Sequence, residues 1–316
     1  MRYTNFDIDS TVIKCYRNYT YERANIYFKK EIQKLPFPWT DDPILQKYSF
    51  TNVKRYLDRQ SIFLIDKVIN NDSLSLLNKF MNCFLFRNFN LDTATVFFKQ
   101  YPIDFDNFNY QEFLDYELKQ KSEIKTKVLL QSPAYILVGS KVHIFKKLTK
   151  IANAVNPENT PQSSLALWTY LNKPAFEKCI ALSSPMDIYN TLLELSGMGR
   201  FLAYQIWIDF SYIKETPYTD SDIVISGPGC DKGIDWITGE TCKISKDEFI
   251  LEFHDKLPQI MKDFNLTWNP EEFLHFLPKS ERKWTLMDIE NSFCELQKYM
   301  KVYAFNKSPK RTYKCK

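Results

Sequence analysis

Glycine is scarce in this chain, and six of its 7 glycines lie between positions 197 and 239. Average usage of about 7% would give roughly 22 glycines in a chain of this length. Because glycine tolerates positive φ and lets the backbone approach a ligand closely, this region is the candidate site. Gly197 and Gly199, in the sequence SGMG, stand between two apolar segments and predict a hairpin between helices. Main-chain amides at the start of the second helix, together with Arg200, suit an anion such as a phosphate.

The segment 190–212 resembles the helix–hairpin–helix element with which base-excision DNA glycosylases grip the phosphate backbone. On this basis we expect DNA contacts from four residues, Gly197, Gly199, Arg200 and Gln205. An ordinary helix–helix turn with a glycine C-cap is the alternative for a lone GxG turn. Glycosylases that also cleave the sugar–phosphate chain carry a lysine where this chain has Phe201, so Schiff-base chemistry is not expected.

A catalytic aspartate follows the hairpin in that superfamily. Asp220 and Asp222 stand 21 and 23 positions after Gly199, and an aspartate there can stabilise positive charge at a sugar or activate a nucleophile. We therefore predict Asp222 as the catalytic residue, with Asp209 and Asp220 as further candidates. The cofactor is left open, and the candidates are a nucleoside triphosphate and Mg²⁺ held by these aspartates.

The second glycine cluster is GPGCDKG at 227–233. It resembles a phosphate-binding loop but lacks the order GxxxxGK followed by Ser or Thr. We interpret it as a rigid turn whose Gly227, Gly229 and Gly233 line the same pocket as Asp222. No P-loop occurs in the sequence, which disfavours a kinase of the P-loop type. The three histidines and 7 cysteines lack the close pairs of a zinc site, so no metal site is predicted.

Helices dominate the elements that must position these residues, because apolar residues recur at spacings of three and four. We expect an all-α fold, a glycosylase-like helical core with little or no sheet. The predicted helices cover roughly 20–35, 50–70, 73–89, 108–125, 162–180, 186–196, 200–213, 245–262 and 284–301. The best-defined helix starts are Ser184 before Pro185, Ser245 with Glu248, and Thr285 with Asp288.

Strand signals are confined to two short runs, 134–138 and 223–225. The stretch 155–164, rich in Asn, Pro and Thr, is the best candidate for a surface break within the chain. We predict three parts: an N-terminal helical extension at 1–35, a helical DNA-base-modification domain at 36–302, and a basic tail at 303–316.

Composition and charge narrow the possible classes of protein. The net charge of +4 is too small to diagnose nucleic-acid binding by itself, although the last ten residues hold five basic side chains and no acidic one. Seven cysteines without a CxxC pair indicate reduced thiols. The charged first thirty residues and the lack of a membrane-length apolar stretch predict a soluble intracellular protein that is neither secreted nor membrane-bound.

Six segments together resemble one family: PWTDDPIL (38–45), FTNVKRYLDRQS (50–61), FRNFN (86–90), LSGMGRFLAYQIWIDFSY (195–212), DIVISGPGCDKGI (222–234) and RKWTLMDIENSFCELQKYMKV (282–302). The chain is similar to the family named for 5-hydroxymethyluracil DNA kinase helical domains, grouped with the alpha-glutamyl/putrescinyl thymine pyrophosphorylases. The resemblance implies DNA base hypermodification, in which a hydroxymethyluracil is activated on its hydroxymethyl oxygen and the activating group is then displaced by an amine.

The resemblance also implies which residues form the functional site. Asn52, Arg55 and Arg59 have the spacing of one helix face, and with Asp58 they are expected to hold a phosphate or the edge of the base. An ion-pair network within the helix is an equal alternative, and Arg87 has the same ambiguity. In the last matching segment, Glu295 and Tyr299 are expected to line the base or phosphate pocket, whereas Cys294 is expected to be buried and unreactive.

Three functions stay open at this point. The leading one is an enzyme that acts on a 5-hydroxymethyluracil-derived base flipped out of double-stranded DNA, at a kinase or pyrophosphoryl-activation step or at an amine-displacement step. The second is a glycosylase that excises a modified base, which the hairpin and Asp222 support equally well. The third is a non-catalytic DNA-binding module that serves a separate modification enzyme such as a kinase, which the missing P-loop favours.

Overall fold

A computed structural model describes residues 3–124, 128, 129, 132, 161–239, 241–307 and 312. Its α-helices are, in chain order, α1 (Ser10–Tyr27), α2 (Pro43–Lys47), α3 (Arg59–Leu64), α4 (Leu76–Phe89), α5 (Tyr110–Glu123), α6 (Pro161–Leu171), α7 (Lys173–Ala181), α8 (Pro185–Leu193), α9 (Arg200–Ser211), α10 (Pro228–Thr238), α11 (Lys246–Asp263), α12 (Pro270–Phe273) and α13 (Leu286–Phe305). Short 3₁₀ helices cover Arg55–Leu57, Asp92–Phe97 and Lys279–Glu281, and π-helical turns at Phe28–Ile32 and Ile65–Ile69 continue α1 and α3.

The prediction of an all-α fold is confirmed. The described residues contain no β-strand, and Tyr48 and Thr312 form an isolated antiparallel bridge. The predicted strand at 223–225 is wrong, because these residues form an irregular connection. The other predicted strand, 134–138, lies outside the described residues, as do positions 155–160 of the predicted surface break.

The predicted helix starts are confirmed. The Ser184 side chain accepts a hydrogen bond from the amide of Asp187 at the start of α8. The other two starts, Ser245 with Glu248 and Thr285 with Asp288, are complete capping boxes. In each box the two side chains satisfy backbone amides that the first helical turn leaves without a partner.

Contacts divide the chain into two units. Unit 1 comprises Met1–Asp58 and Ile223–Lys316, and unit 2 comprises Arg59–Asp222. These limits do not coincide with the boundaries at 35 and 302 that the sequence predicts. Helix α1 belongs to the same unit as α13, and α13 itself continues to Phe305, into the predicted tail.

Unit 1 has an aromatic core around α13. The ring centroid of Phe293 lies 5.2 Å from that of Tyr16 on α1 and 5.1 Å from that of Phe253 on α11. Tyr16 and Phe253 also meet edge to face, with centroids 5.6 Å apart. Such pairs bury a large apolar area with few rotatable bonds, so they hold α13 in a defined orientation within this unit.

Helix α10 packs closely on α13 through two glycines. A Cβ atom at Gly233 would lie 2.2 Å from the carbonyl oxygen of Phe293, and one at Gly229 would lie 2.5 Å from Sγ of Cys294. The segment 227–233 forms the first turns of α10, with Gly227 as the N-cap. The interpretation of this segment as a rigid turn is wrong. Its glycines allow two helix backbones to approach each other.

Unit 2 has its own aromatic core, centred on α4. The rings of Phe80 and Phe210, the latter on α9, stack with centroids 4.1 Å apart. Phe84, one turn along α4 from Phe80, packs against Trp168 of α6 and Phe176 of α7, with centroids 4.9 and 4.8 Å from its own. Helix α4 thus joins α6, α7 and α9 within unit 2.

Candidate functional site

Helix α13 carries several polar side chains in unit 1, among them two buried carboxylates. Glu290, Cys294 and Lys298 follow one another at four-residue spacing, and Asn291 and Glu295 form a neighbouring row with the same spacing. Glu290 is 2% exposed and Glu295 is 3% exposed. Because glutamates are almost never buried without partners, these two carboxylates are expected to have specific polar neighbours.

The segment just before Asp58 supplies part of that environment. The backbone amide of Thr51 donates to Oε2 of Glu295 over 3.3 Å, and the side-chain amide of Asn291 donates to the carbonyl oxygen of Asn52 over 2.7 Å. The Thr51 hydroxyl also donates to Oδ1 of Asn291 over 3.3 Å. An irregular stretch of backbone is therefore fixed against α13 by side chains rather than by a helix of its own.

Arg23 of α1 fixes the same stretch from another side. Its guanidinium, on a side chain that is 7% exposed, donates to the carbonyl oxygen of Thr51 over 2.9 Å and to Oδ1 of Asn52 over 2.5 Å. The backbone amide of Asn52 in turn donates to Oδ1 of Asp58 over 2.8 Å, and its side chain donates to the carbonyl oxygen of Leu57. Asn52 thus links Arg23 to Asp58.

Two carboxyl groups of this region ionise near neutral pH. Burial raises the pKa of Asp58 to about 6, although the Asn52 amide and the Arg23 and Arg55 charges favour its ionised form. Burial likewise raises the pKa of Glu290 to about 7, although the hydrogen bond from the Gly227 amide and the charge of Arg55 act to lower it. Glu295 raises the pKa of both groups by its own charge. Asp58, Glu290 and Glu295, with Arg23 and Arg55, are called the carboxylate cluster below.

The carboxylate cluster has the chemistry of a general acid or base. A carboxyl group whose pKa lies near the working pH can take up a proton and release it again during a reaction. Asp58 is partly exposed, and its Oδ2 receives no hydrogen bond from the described residues. Arg55, 4% exposed, adds a fixed positive charge that favours an anion nearby.

The prediction that Asn52, Arg55 and Arg59 share one helix face is wrong. Arg55 lies in a short 3₁₀ helix, Asp58 is extended with φ −72° and ψ 143°, and α3 begins only at Arg59. Arg59 belongs to unit 2, where its side chain is 75% exposed and pairs with Asp92 over 2.6 Å. The hydrogen bond from the Asn52 amide to Asp58 favours this turn over a continuous helix.

The predicted pocket residues of unit 1 lie in three different surroundings. Asp58 and Glu295 belong to the carboxylate cluster, and the Gly227 amide donates to Oε1 of Glu290 over 3.3 Å. Gly229 and Gly233 instead face the backbone and side chains of α13 at the helix–helix contact. Tyr299 donates its hydroxyl proton to Oδ2 of Asp42 over 2.7 Å, and Asp42 also caps α2.

A tight turn separates α8 from α9 in unit 2, at the place where the sequence predicts a hairpin. Helix α8 ends at Leu193, and α9 begins at Arg200 with Gly199 as its N-cap. Gly197 has a φ of 84°, which favours glycine, and the amide of Met198 closes the turn on the carbonyl oxygen of Leu195 over 2.9 Å. The contact of this hairpin with DNA stays a prediction.

The acidic candidates of unit 2 lie in different environments. Asp209 is fully buried and forms an ion pair with Arg87, whose Nη2 donates to Oδ1 over 2.9 Å and whose Nε donates to Oδ2. This pair favours the structural interpretation of Arg87. Asp222 is exposed and accepts hydrogen bonds from the amide and hydroxyl of Thr219, each over 2.9 Å. Asp220 is partly exposed on the same loop.

Gln205, predicted to contact DNA, is 2% exposed on α9, so its side chain lies in the interior of unit 2. Within the described ranges, no group of three histidine, cysteine, aspartate or glutamate residues is arranged to hold a metal ion. No helix among the described residues is both long enough and apolar enough to cross a membrane.

Comparison with known proteins agrees with the resemblance of the six segments. A family model described as "5-hmdU DNA kinase, helical domain" matches residues 10–308. The chain belongs to this family. A curated relative, the 5-hmdU DNA kinase of Bacillus phage SP10, is 25% identical over 299 residues, which cover 90% of this chain and 44% of the relative. The chain thus spans less than half the length of that relative. No solved structure matches the chain.

Sequence reasoning within this family does not single out Arg23 or Glu290. Arg23 lies in α1, before the first of the six segments, and its partners follow almost thirty positions later. Glu290 lies in the last segment, but its identity alone does not distinguish a buried carboxyl group from an exposed helix residue.

Proposed function

We propose that this chain binds DNA that contains 5-hydroxymethyluracil and activates the hydroxymethyl oxygen of that base as a phosphoryl acceptor in thymine hypermodification. The observation that carries the proposal is the family match over residues 10–308, to a helical domain of 5-hmdU DNA kinases. The name of the SP10 relative adds support, since its name states a kinase that acts on this base in DNA.

The carboxylate cluster supplies the acceptor chemistry. As the hydroxymethyl oxygen bonds to phosphorus, the bond to the leaving nucleoside diphosphate breaks and the hydroxyl proton must be removed. Asp58, with a pKa of about 6 and an oxygen not engaged by the described residues, is the proposed base. Arg55 favours the ionised form of Asp58. Asp222 is the alternative base, proposed from its position after the hairpin.

We assign the phosphate donor to a separate nucleotide-binding partner. The sequence contains no P-loop, the motif that cradles nucleotide phosphates in one large class of kinases. The proposed partner brings a nucleoside triphosphate with Mg²⁺, and this chain brings the base. The hairpin at 197–200 is proposed to hold the DNA backbone through its amides and Arg200.

Two measurements on matched duplexes test the proposal. One duplex carries a single 5-hydroxymethyluracil and the other carries thymine. Fluorescence anisotropy is expected to show about tenfold tighter binding to the modified duplex, because an extra hydroxyl group gains one buried hydrogen bond. Equal affinity for both duplexes would contradict base recognition.

Intact-mass spectrometry of the same duplexes, with the chain, ATP and Mg²⁺, then identifies the reaction. An unchanged mass is expected from the chain alone, since the donor site is assigned elsewhere. A phosphate gain on the modified strand would place the donor site on this chain. Loss of the base would show a glycosylase and overturn the proposed acceptor role.

A further inference from the structure

Four lysines of unit 1 lie close together where α10 approaches the end of α13. Lys232 lies on α10, Lys298 and Lys301 lie on α13, and Lys307 follows the last turn. Lys298 pairs with Glu295. Lys232, Lys301 and Lys307 form no ion pair with any residue in the described ranges. Burial lowers the pKa of Lys301, and the charges of the other three lysines lower it further. Like charges held together, three of them without an ion-pair partner among the described residues, favour an anionic ligand.

An exposed aromatic ring lies next to these lysines. Phe305 is 59% exposed, which is high for a large apolar side chain at the end of a long helix. Its ring packs against Trp236 of α10 with centroids 5.7 Å apart, and Lys307 places Nζ 5.5 Å from the centroid of the Phe305 ring. Lys301 lies one turn before Phe305 on the same side of α13, so an aromatic face and positive charges share one surface. Tyr303 is also exposed, at 55%, but it stacks on Tyr299 on another side of the helix.

We propose that this basic aromatic surface, formed by Lys232, Lys301, Phe305 and Lys307, binds a single-stranded stretch of DNA. Lysines would contact the phosphates, and the exposed face of Phe305 would stack on an unpaired base. Charge complementarity selects a polyanion, and the flat exposed ring favours a ligand that itself offers flat rings over a lipid headgroup. The inference goes beyond the proposed function and rests on it only for the choice of DNA as the polyanion.

The charge part is tested with Lys232→Gln/Lys301→Gln. The probe is a labelled thymine-only single strand, which lacks the modified base and so separates this test from that of the proposed function. We expect about tenfold weaker binding at low salt and a salt dependence shallower by about 1.4 in log K against log salt, for two lost phosphate contacts. The matched control Lys262→Gln/Lys279→Gln removes the same charge from two other exposed positions of unit 1. Equal losses in both double variants would overturn the proposal.

The stacking part is tested with Phe305→Ser. We expect about tenfold weaker binding to the single strand, because a stacking face is lost, and no change for the fully paired duplex. The matched control Tyr303→Ser removes an exposed ring from another side of α13 and is expected to bind like the parent chain. Circular dichroism and thermal unfolding establish that each variant is folded. A Phe305→Ser variant that binds the single strand as tightly as the parent chain would overturn the assignment to DNA. So would a parent chain that binds phosphatidylserine vesicles instead of the single strand, when this variant does not bind these vesicles.

Discussion

The backbone amide of Gly227 donates a hydrogen bond to Oε1 of Glu290 over 3.3 Å, and this contact joins the N-cap of α10 to the first half of α13. Glu290 is almost completely buried, and the charge of Asp231 adds to the burial that raises its pKa. A helix N-terminus favours a negative charge, yet here the cost of desolvation is larger. Glu290 is thus a buried carboxyl group that changes its charge near neutral pH.

Glu290→Gln is expected to stabilise the protein at high pH. The pKa of Glu290 is raised to about 7 in the folded chain, above its usual 4.5, so the folded state binds the proton more tightly than the unfolded state. Stability is therefore lost as the pH rises from 4.5 to about 7. The glutamine keeps an acceptor for the Gly227 amide and carries no charge.

The size of this effect is measurable by urea unfolding. We expect a gain on the order of 2 kcal/mol in the free energy of unfolding at about pH 8, and almost none at about pH 4.5. Glu272→Gln, at an exposed position of α12, is the matched control and should change little at either pH. A gain that does not depend on pH would show that Glu290 does not titrate in this range.

Asp58→Asn is expected to remove the pH dependence of base recognition. The ionised carboxylate accepts a hydrogen bond from the hydroxymethyl group better than the neutral acid does. The affinity ratio of modified to unmodified duplex should therefore rise in the parent chain as the pH passes about 6, the pKa of Asp58. In Asp58→Asn the ratio should stay low and flat, as measured by anisotropy across this range.

Asp222→Asn is the comparison that separates the two candidate aspartates. Asp222 is exposed and bonds to Thr219, so this variant is expected to keep the pH-dependent ratio. If Asp222→Asn flattened the ratio and Asp58→Asn preserved it, the catalytic assignment would move to the loop after the hairpin.

Arg87→Met is expected to destabilise the chain strongly. Asp209 would be left buried without its guanidinium partner, and removal of one member of a buried ion pair costs about 3–5 kcal/mol. Arg59→Met removes the same side-chain type from the exposed pair with Asp92 and should cost less than about 1 kcal/mol. A similar loss of unfolding free energy in both variants, measured with urea, would show that the buried pair stabilises the fold no more than the exposed pair does.

Gly233→Ala is expected to destabilise unit 1, whereas Gly229→Ala should be tolerated better. The added methyl group at Gly233 meets the backbone carbonyl of Phe293, which can move only with α13 itself. At Gly229 it meets first the Cys294 side chain. We expect a cost of about 1–3 kcal/mol for Gly233→Ala in thermal or urea unfolding. A stabilised Gly233→Ala, from the higher helix propensity of alanine, would contradict the close packing.

Three helix starts and family membership were accessible from the sequence, whereas other predicted bounds, such as 20–35 and 50–70, were wrong. Ser245 with Glu248 and Thr285 with Asp288 predicted helix starts correctly, because a capping box joins a side chain to a backbone amide three residues away. The six segments similarly identified the family, since their order along the chain is itself sequence information.

Tertiary structure alone decided the environment of the polar residues. Arg87 pairs with Asp209, which lies 122 positions away, so its spacing from nearby residues did not predict this partner. Gly233 allows α10 to pack closely on α13 and does not form a turn, because the atoms that a side chain would meet there belong to the Phe293 backbone on α13. Glu290 titrates near neutral pH because distant segments exclude water from it. Local hydrogen bonds depend on neighbours in sequence, whereas packing and desolvation depend on which remote segments meet.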